Sequence, residues 1–437
     1  MEPVNIGVVG LGTVGGGTVD VLHRNSAEIS RRAGREIRVS RAAVRDLDRS
    51  RSCDTSGITL TNDPFEVAND PDVRVVVELI GGETTAFEIV MEALEQGKHV
   101  VTANKALIAT RGNEIFRAAH ERGLVVAFEA AVAGGISIIK ILREGLAGNR
   151  VKQLVGIVNG TSNYILTGMH ERGSDFEPML REAQALGYAE SDPTFDIDGV
   201  DAAHKLTILA SIAYGIPLDF SAVYTEGIGT IQGKDVSYAE DLGYRIKHLG
   251  IARRRGNRVD LRVHPCLIPE THLLASVDGV MNAILVEGDA VGQTIHYGAG
   301  AGANPTASSV VADIVDVVRT LTADPGNRVP HLAFQPTALT SKDVTPLGDI
   351  ECAYYLRLLA LDRPGVLAEI ARILGENNVS IEAIRQQGTK NNDGNVSVVI
   401  VTHKTREMSM TRAIGAIEAL PAIAEPVMRI RLDTLEA

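Results

Sequence analysis

The chain reads as an α/β protein in three parts: a doubly wound parallel-sheet domain, an α+β domain, and a C-terminal βαββαβ unit. Three observations carry that reading. Short β-rich runs alternate with helical patterns from Val4 to Phe128, a glycine triad follows the first run directly, and a strand-helix-strand-strand-helix-strand order appears after Tyr354. In the first region strands are expected at Val4–Val9, Ile37–Val44, Val73–Leu79, His99–Thr102 and Leu124–Phe128. Helices are expected at Phe87–Gln96 and Glu114–Arg122, closed by Gly97 and Gly123, the residue type that tolerates a left-handed helix end.

The glycine triad is Gly10-Leu11-Gly12-Thr13-Val14-Gly15, a G-x-G-x-x-G pattern between a strand and a helix. Gly10 permits the tight turn, Gly12 lets the backbone approach a pyrophosphate, and Gly15 allows close helix-to-strand packing, with the phosphates at the helix N-terminus. This is a Rossmann-type dinucleotide site. Arg45, directly after the second strand, favours the 2′-phosphate of NADP over NAD, while the adjacent Asp46 keeps NAD open as an alternative.

After Phe128 the pattern changes to Gly134-Gly135, an apolar helix around Ile136–Leu146, a strand around Gln153–Val158, and helices at Ser162–Arg172, Pro178–Leu186 and Val200–Tyr214. The segment Gly187–Lys205 crowds five carboxylates: Glu190, Asp192, Asp196, Asp198 and Asp201. Such repulsion calls for a cation, and the residues alone leave a metal, a substrate ammonium or a lysine equally open. Asp201 and Lys205 stand four apart at a helix start and share a face. The apolar neighbours Ala202, Ala203, Leu206, Ile208 and Leu209 put that helix largely inside the protein, where a lysine can exchange a proton near neutrality. Lys105 lies at the C-terminal end of a strand, where open α/β sheets bind ligands, and Asn104 before it suits a helix cap.

Composition narrows the partners. A net charge of -12 argues against nucleic acid or an anionic membrane surface, and 45% apolar with 22% charged residues is ordinary for a folded chain. Three scattered cysteines encode neither a disulfide framework nor a zinc cluster. With no secretory leader and no membrane-length apolar run, a cytoplasmic protein is expected.

Several stretches together resemble the homoserine dehydrogenase family: the glycine motif, Thr102-Ala103-Asn104-Lys105-Ala106-Leu107, Asn159-Gly160-Thr161-Ser162-Asn163-Tyr164, Leu186-Gly187-Tyr188-Ala189-Glu190 with Asp192-Pro193-Thr194, and Gly300-Ala301-Gly302 with Pro305-Thr306-Ala307. They occur in family order across residues 1–320. The resemblance implies reversible reduction of L-aspartate 4-semialdehyde to L-homoserine, on the way to threonine, methionine and isoleucine. It implies Lys205 as proton donor and Lys105 as a second lysine facing substrate. It also implies Glu190 and Asp201 as holders of the amino acid, with Asp196 and Thr161 in the same pocket. Thr13, Val14, Lys105, Gly187 and Gly302 match family positions around the cofactor, and a sodium ion is implied near Glu129, Val132, Gly134 and Ile136.

At the C-terminus, elements are expected at Tyr355–Leu361, Val366–Leu374, Val379–Ile384, Val396–Thr402, Met410–Ala419 and Val427–Arg429, a ferredoxin-like order. The turn Leu361-Asp362-Arg363-Pro364-Gly365 resembles the ACT family, whose members commonly bind amino acids beside this loop. Asp362, Pro364, Gly365 and Asn378 are the regulatory candidates, with threonine the implied feedback effector. The expected divisions are 1–130 for the dinucleotide domain with 305–325 packing back on it, 131–304 for the catalytic and dimerisation domain, 326–350 for a linker, and 351–437 for the ACT unit. A homodimer or homotetramer is expected. The rival readings are a thioester-forming semialdehyde dehydrogenase using Cys266, and a cofactor-binding sensor without turnover.

Overall fold

The computed structural model describes residues 2–321, 329–387 and 394–435. In chain order the elements begin with β1 (Val4–Val9), α1 (Thr13–Arg24), α2 (Ser26–Ala33), β2 (Ile37–Ala43), β3 (Thr59–Thr61), α3 (Pro64–Asn69), β4 (Val75–Glu78), α4 (Thr84–Glu95), β5 (His99–Thr102), α5 (Lys105–Glu121) and β6 (Val126–Ala127). Next come α6 (Ile138–Lys140), β7 (Val151–Ile157), α7 (Gly160–Arg172), α8 (Phe176–Ala185), α9 (Thr194–Ile197), α10 (Val200–Tyr214), β8 (Tyr224–Thr225) and α11 (Gly233–Asp241). Two hairpins follow, β9 (Tyr244–Arg255) with β10 (Arg258–Pro269) and β11 (Met281–Gly288) with β12 (Gly292–Ala299), and then α12 (Ala303–Thr320). The last part holds β13 (Glu351–Leu361), α13 (Val366–Glu376), β14 (Ile381–Gln387), β15 (Asn395–Thr402), β16 (Thr405–Arg406), α14 (Glu407–Glu418) and β17 (Met428–Leu432).

The chain forms two compact units. The first comprises Met1–Leu154, Ala203–Val223 and Met281–Ser341; the second comprises Val155–Ala202, Tyr224–Val280 and Lys342–Ala437.

The first unit is organised by a six-stranded sheet in the order β3-β2-β1-β4-β5-β6, every pair parallel. Its strands are buried on both faces, so they read as continuous Val and Ala runs. Ile6, Val8, Val75 and Val77 meet Val19 and Leu22 of α1 and Val310, Ile314 and Val317 of α12 in one core. The segment after residue 300 thus returns to cover the sheet beside α1. Gly17 makes that approach possible, since a Cβ there would lie 2.9 Å from the Ala303 carbonyl oxygen.

Two elements differ from expectation. α5 starts at Lys105, earlier than Glu114, because the Asn104 side chain accepts the Leu107 amide at 3.1 Å and caps the helix. The apolar helix expected over Ile136–Leu146 is instead one turn, α6, running into a wide turn at Ile141–Gly145 closed by Leu146 N–H to the Ile141 carbonyl. The Glu129 carboxylate accepts the Ile139 and Lys140 amides at 2.9 and 2.8 Å and pins that first turn.

Within the second unit the sheet runs β9-β10-β17-β13-β15-β14, and β8 pairs with β10. Its C-terminal part has the ferredoxin-like order, with α13 and α14 packed on Tyr354, Leu356 and Leu358. Alternate residues Ala353 and Tyr355 face the other way, toward Val236 and Ala239 of α11. Arg357 on that face donates to Asp235 at 2.5 and 3.1 Å, tying β13 to α11. The hairpin β9–β10 carries no sequence signal of period two because polar and apolar side chains alike are buried along it, Lys247, His248, Arg262 and His264 among them.

Candidate active site

The glycine loop between β1 and α1 has the geometry its spacing demands. Gly10 has φ +100°, and a Cβ there would press on the Leu79 carbonyl at 2.9 Å. A Cβ on Gly15 would stand 1.9 Å from the Gly10 carbonyl oxygen. Around Gly12 a Cβ would meet nothing within 4 Å, the open space a pyrophosphate needs. The loop opens onto a cleft of about 980 Å³ lined by Gly10, Gly12 and Thr13 on one side and by Arg45, Arg49 and Ser50 beyond β2. Val14 packs with Leu11 against the sheet core. Asp46, the acid that could serve a ribose diol, turns its Oδ1 to the Asp48 amide at 3.0 Å. Arg51 braces the same loop by donating to the carbonyls of Asp46 and Arg49.

Across the strand ends lies a network the sequence reading missed. Glu78 ends β4 fully buried, and its carboxylate accepts the Ile80 and Gly81 amides at 2.9 and 3.2 Å and the Thr102 hydroxyl at 2.5 Å. Burial raises its pKa, partly offset by those hydrogen bonds. Thr102 accepts the Asn104 amide, and Asn104 donates to Gly82 at 2.5 Å, so one acid shapes both the Gly81-Gly82 wall of the cleft and the helix start that carries Lys105. An acid ending the apolar run Val75-Val76-Val77 was the available signal.

The predicted substrate residues converge in part. Asn159 Nδ2 donates to Asp196 Oδ1 and to Asp201 Oδ2, both at 2.8 Å. The Thr161 hydroxyl lies 2.7 Å from the Tyr188 carbonyl and 3.1 Å from Asp196 Oδ2. Asn159 Oδ1 in turn caps α7 by accepting the Ser162 amide at 2.7 Å. Asn159, in the motif but not predicted as a site residue, is therefore the hub. Asp201 is 3% exposed, and Lys205 is half-buried one turn further along α10. Glu190 is exposed, its main-chain carbonyl accepting Gln184, and Gly187 takes φ +76° in the turn before it. Gly302, with φ +122°, caps α12.

The cation candidates are deeply placed. Glu129 is 1% exposed and its pKa is pushed up to about 6 by burial, against the pull of the Lys140 and Ile139 amides. Asp313 accepts the Glu129 amide at 2.7 Å and is pushed up to about 8, by burial first and the Glu129 charge second. The Gly134 carbonyl accepts the Ser309 hydroxyl at 2.6 Å, and that of Ile136 accepts the Ile138 amide at 2.7 Å. Two buried carboxyls among hard carbonyl oxygens suit a monovalent cation chemically.

At the C-terminal unit Gly365 takes φ +94° at the start of α13, after Pro364, and Asp362 accepts from Gln386 at 3.4 Å. Asn378, left-handed at φ +59°, lies beyond the other end of α13, an 11-residue helix of roughly 16 Å. Within one chain, then, Asn378 does not join the Asp362–Gly365 loop. Cys266 is fully buried and burial raises its pKa well above the usual thiol range, the opposite of what a thioester-forming nucleophile requires.

Comparison with known proteins decides the family. The model of the homoserine dehydrogenase NAD-binding domain matches residues 10–129, that of homoserine dehydrogenase matches 138–315, and that of the ACT domain matches 354–422. A homoserine dehydrogenase of Pseudomonas aeruginosa is 59% identical over 435 residues, with all of both chains covered. The chain belongs to the homoserine dehydrogenase family. A second such enzyme, from Neisseria gonorrhoeae, is 55% identical over the same span. The crystal structure of a homoserine dehydrogenase from Thiobacillus denitrificans superposes with a TM-score of 0.95 at 59% identity, covering 100% of this chain and 99% of that one. A hyperthermophilic archaeal homoserine dehydrogenase in complex with NADPH matches 72% of this chain and 98% of its own, at 27% identity and a TM-score of 0.60. The chain is thus an NAD(P)-dependent oxidoreductase that interconverts L-aspartate 4-semialdehyde and L-homoserine, with a C-terminal ACT domain. Among the described residues no helix is long and apolar enough to cross a membrane.

Proposed function

We propose that this homoserine dehydrogenase works by direct hydride transfer with Lys205 as the acid. In reduction Lys205 gives a proton to the carbonyl oxygen while the adjacent carbon receives hydride, so the aldehyde becomes the alcohol and Lys205 recovers its proton from solvent. The nicotinamide cofactor, when bound, supplies the hydride. Asp201 and Glu190 hold the substrate ammonium, Asp196 and Thr161 complete that pocket, and Lys105 faces the substrate from the start of α5. The observation that carries this reading is the Asn159 hub, which holds Asp196 of α9 and Asp201, the latter one turn ahead of Lys205 in α10.

Gly10, Gly12, Thr13 and Gly15 with the start of α1 bind the pyrophosphate, and Lys105, Gly187, Gly302 and Val14 border the cofactor. NADP is the preferred cofactor, through Arg45. The engagement of Asp46 Oδ1 by the Asp48 amide and the NADPH bound to the archaeal relative support that preference. Glu129 with the carbonyls of Val132, Gly134 and Ile136 would hold a sodium ion, whose charge would offset the buried acids. The ACT domain binds threonine at Asp362–Gly365 as feedback inhibitor. The enzyme associates as a homodimer or homotetramer, a reading supported by β12, which leaves Val291, Ile295 and Tyr297 exposed in and beside it.

The test is NADPH oxidation by purified protein with L-aspartate 4-semialdehyde, with and without threonine. Turnover lost in Lys205→Ala supports the acid role, and normal turnover in that variant overturns it.

A further inference from the structure

Glu78 closes β4 beside Thr102, its register partner at the end of β5. It is fully buried, and its two carboxylate oxygens serve different elements. Oε1 accepts the Ile80 and Gly81 amides at 2.9 and 3.2 Å, on the segment that walls the dinucleotide cleft. Oε2 accepts the Thr102 hydroxyl at 2.5 Å, and Thr102 Oγ1 in turn accepts the Asn104 amide at 3.0 Å, directly before Lys105. Asn104 Nδ2 then donates to the Gly82 carbonyl at 2.5 Å, while its Oδ1 caps α5. These bonds close a ring that runs from Glu78 to Gly81-Gly82, on to Asn104 and Thr102, and back to Glu78.

The ring holds what packing leaves loose. Gly81 and Gly82 are consecutive left-handed residues, with φ +70° and +73°, and a Cβ on either would meet nothing within 4 Å. Glycine has the widest choice of backbone conformation, so a turn of two unpacked glycines keeps its shape through its hydrogen bonds. The bonds here are those to Glu78 Oε1 and from Asn104 Nδ2. Every partner of the Glu78 carboxylate donates to it, the arrangement that an ionised acceptor makes strong.

We propose that Glu78 is a positioning residue for the dehydrogenase reaction: Oε1 shapes the cofactor wall, and Oε2, through Thr102 and Asn104, sets the start of α5 and with it Lys105. Shut off from solvent, Glu78 acts only through these neighbours, a role that rests on Lys105 facing the substrate.

The experiment compares steady-state kinetics, NADPH fluorescence titration and melting temperature for Glu78→Gln, Glu78→Ala, Thr102→Val, Lys105→Ala and the double variant Glu78→Gln/Lys105→Ala, all in the full chain. In Glu78→Gln the amide oxygen can keep the Ile80 and Gly81 donors, while its NH2 takes the acceptor away from the Thr102 hydroxyl. Thr102→Val removes the same link and keeps the side-chain shape. Both should lower kcat/KM for aspartate semialdehyde about tenfold or more, with the Kd for NADPH changed less than about threefold. Glu78→Ala, which empties both positions, should also weaken NADPH about tenfold or more. In the Lys105→Ala background Glu78→Gln should cost less than about a further twofold, because its effect passes through that lysine. Lower melting temperatures with kcat, KM and Kd unmoved in the Gln and Val variants would make Glu78 merely structural and overturn the positioning role. Losses that multiply in the double variant, when Lys105→Ala alone is impaired, overturn the route through Lys105 and leave that lysine's own role standing. Normal turnover in Lys105→Ala removes the role of the lysine itself, and the Oε2 arm falls with it.

Discussion

In the dinucleotide cleft the decisive groups belong to the main chain: Gly10 turns it, Gly15 lets helix meet strand, and Gly12 leaves room in front of α1. In the carboxylate cluster they are side chains drawn from three segments, Asn159 and Thr161 around the start of α7, Asp196 in α9 and Asp201 in α10, held by hydrogen bonds of 2.8–3.1 Å. The first site is an open surface made by absent side chains. The second is a network in which one amide, Asn159, ties together two acids from different segments. The difference predicts different failures: steric exclusion of ligand with the fold kept in one, loss of organisation in the other.

The largest expected effect lies where chemistry is added to the cluster. Lys205→Ala should lower kcat about 10²–10⁴-fold, the range for a positioned acid, with NADPH affinity unchanged by fluorescence titration. Next, Asn159→Ala should raise KM for aspartate semialdehyde about 10- to 100-fold, since each hydrogen bond lost to a charged group is worth roughly 1.5–3 kcal/mol. An unchanged KM would show that Asp196 and Asp201 hold their places without the hub. In the cleft, Gly12→Val should keep the melting temperature while weakening NADPH at least about tenfold (~1.4 kcal/mol). Gly15→Ala, with its Cβ forced to 1.9 Å from a carbonyl, should instead lower the melting temperature. Arg45→Glu should shift the NADPH-to-NADH ratio of dissociation constants toward NADH by about tenfold, a charge-assisted bond at an exposed site. A ratio that does not move would assign the 2′-phosphate to other groups.

The smallest effect concerns stability and pH. Burial alone would raise the Glu407 pKa, but hydrogen bonds and charge from Arg431 override it and hold the carboxyl below its usual 4.5. A carboxyl depressed in the folded state contributes stability that is present above its unfolded pKa and lost as pH falls through the folded value. The melting temperature of the unaltered protein should therefore drop more between pH 5 and pH 3 than that of Glu407→Gln, which should already be lower at pH 7.

The glycine triad, the Asn104 cap and the βαββαβ order were legible because each is a local pattern whose spacing reports backbone conformation. Glu78 and Asn159 escaped notice because each acts on a partner 24 or more residues away, and no local pattern marks that distance. The β9–β10 hairpin was invisible because burial on both faces erases alternation.

The sequence by itself determined the parallel sheet, the dinucleotide loop, the family and the residue types available for acid chemistry, because periodicity and short motifs encode local geometry. Only the tertiary structure decided that Asn159 gathers Asp196 and Asp201 and that Arg431 reaches Glu226. Those are relations between distant segments, and they are set by how helices and strands bury their apolar faces, which no single stretch of chain contains.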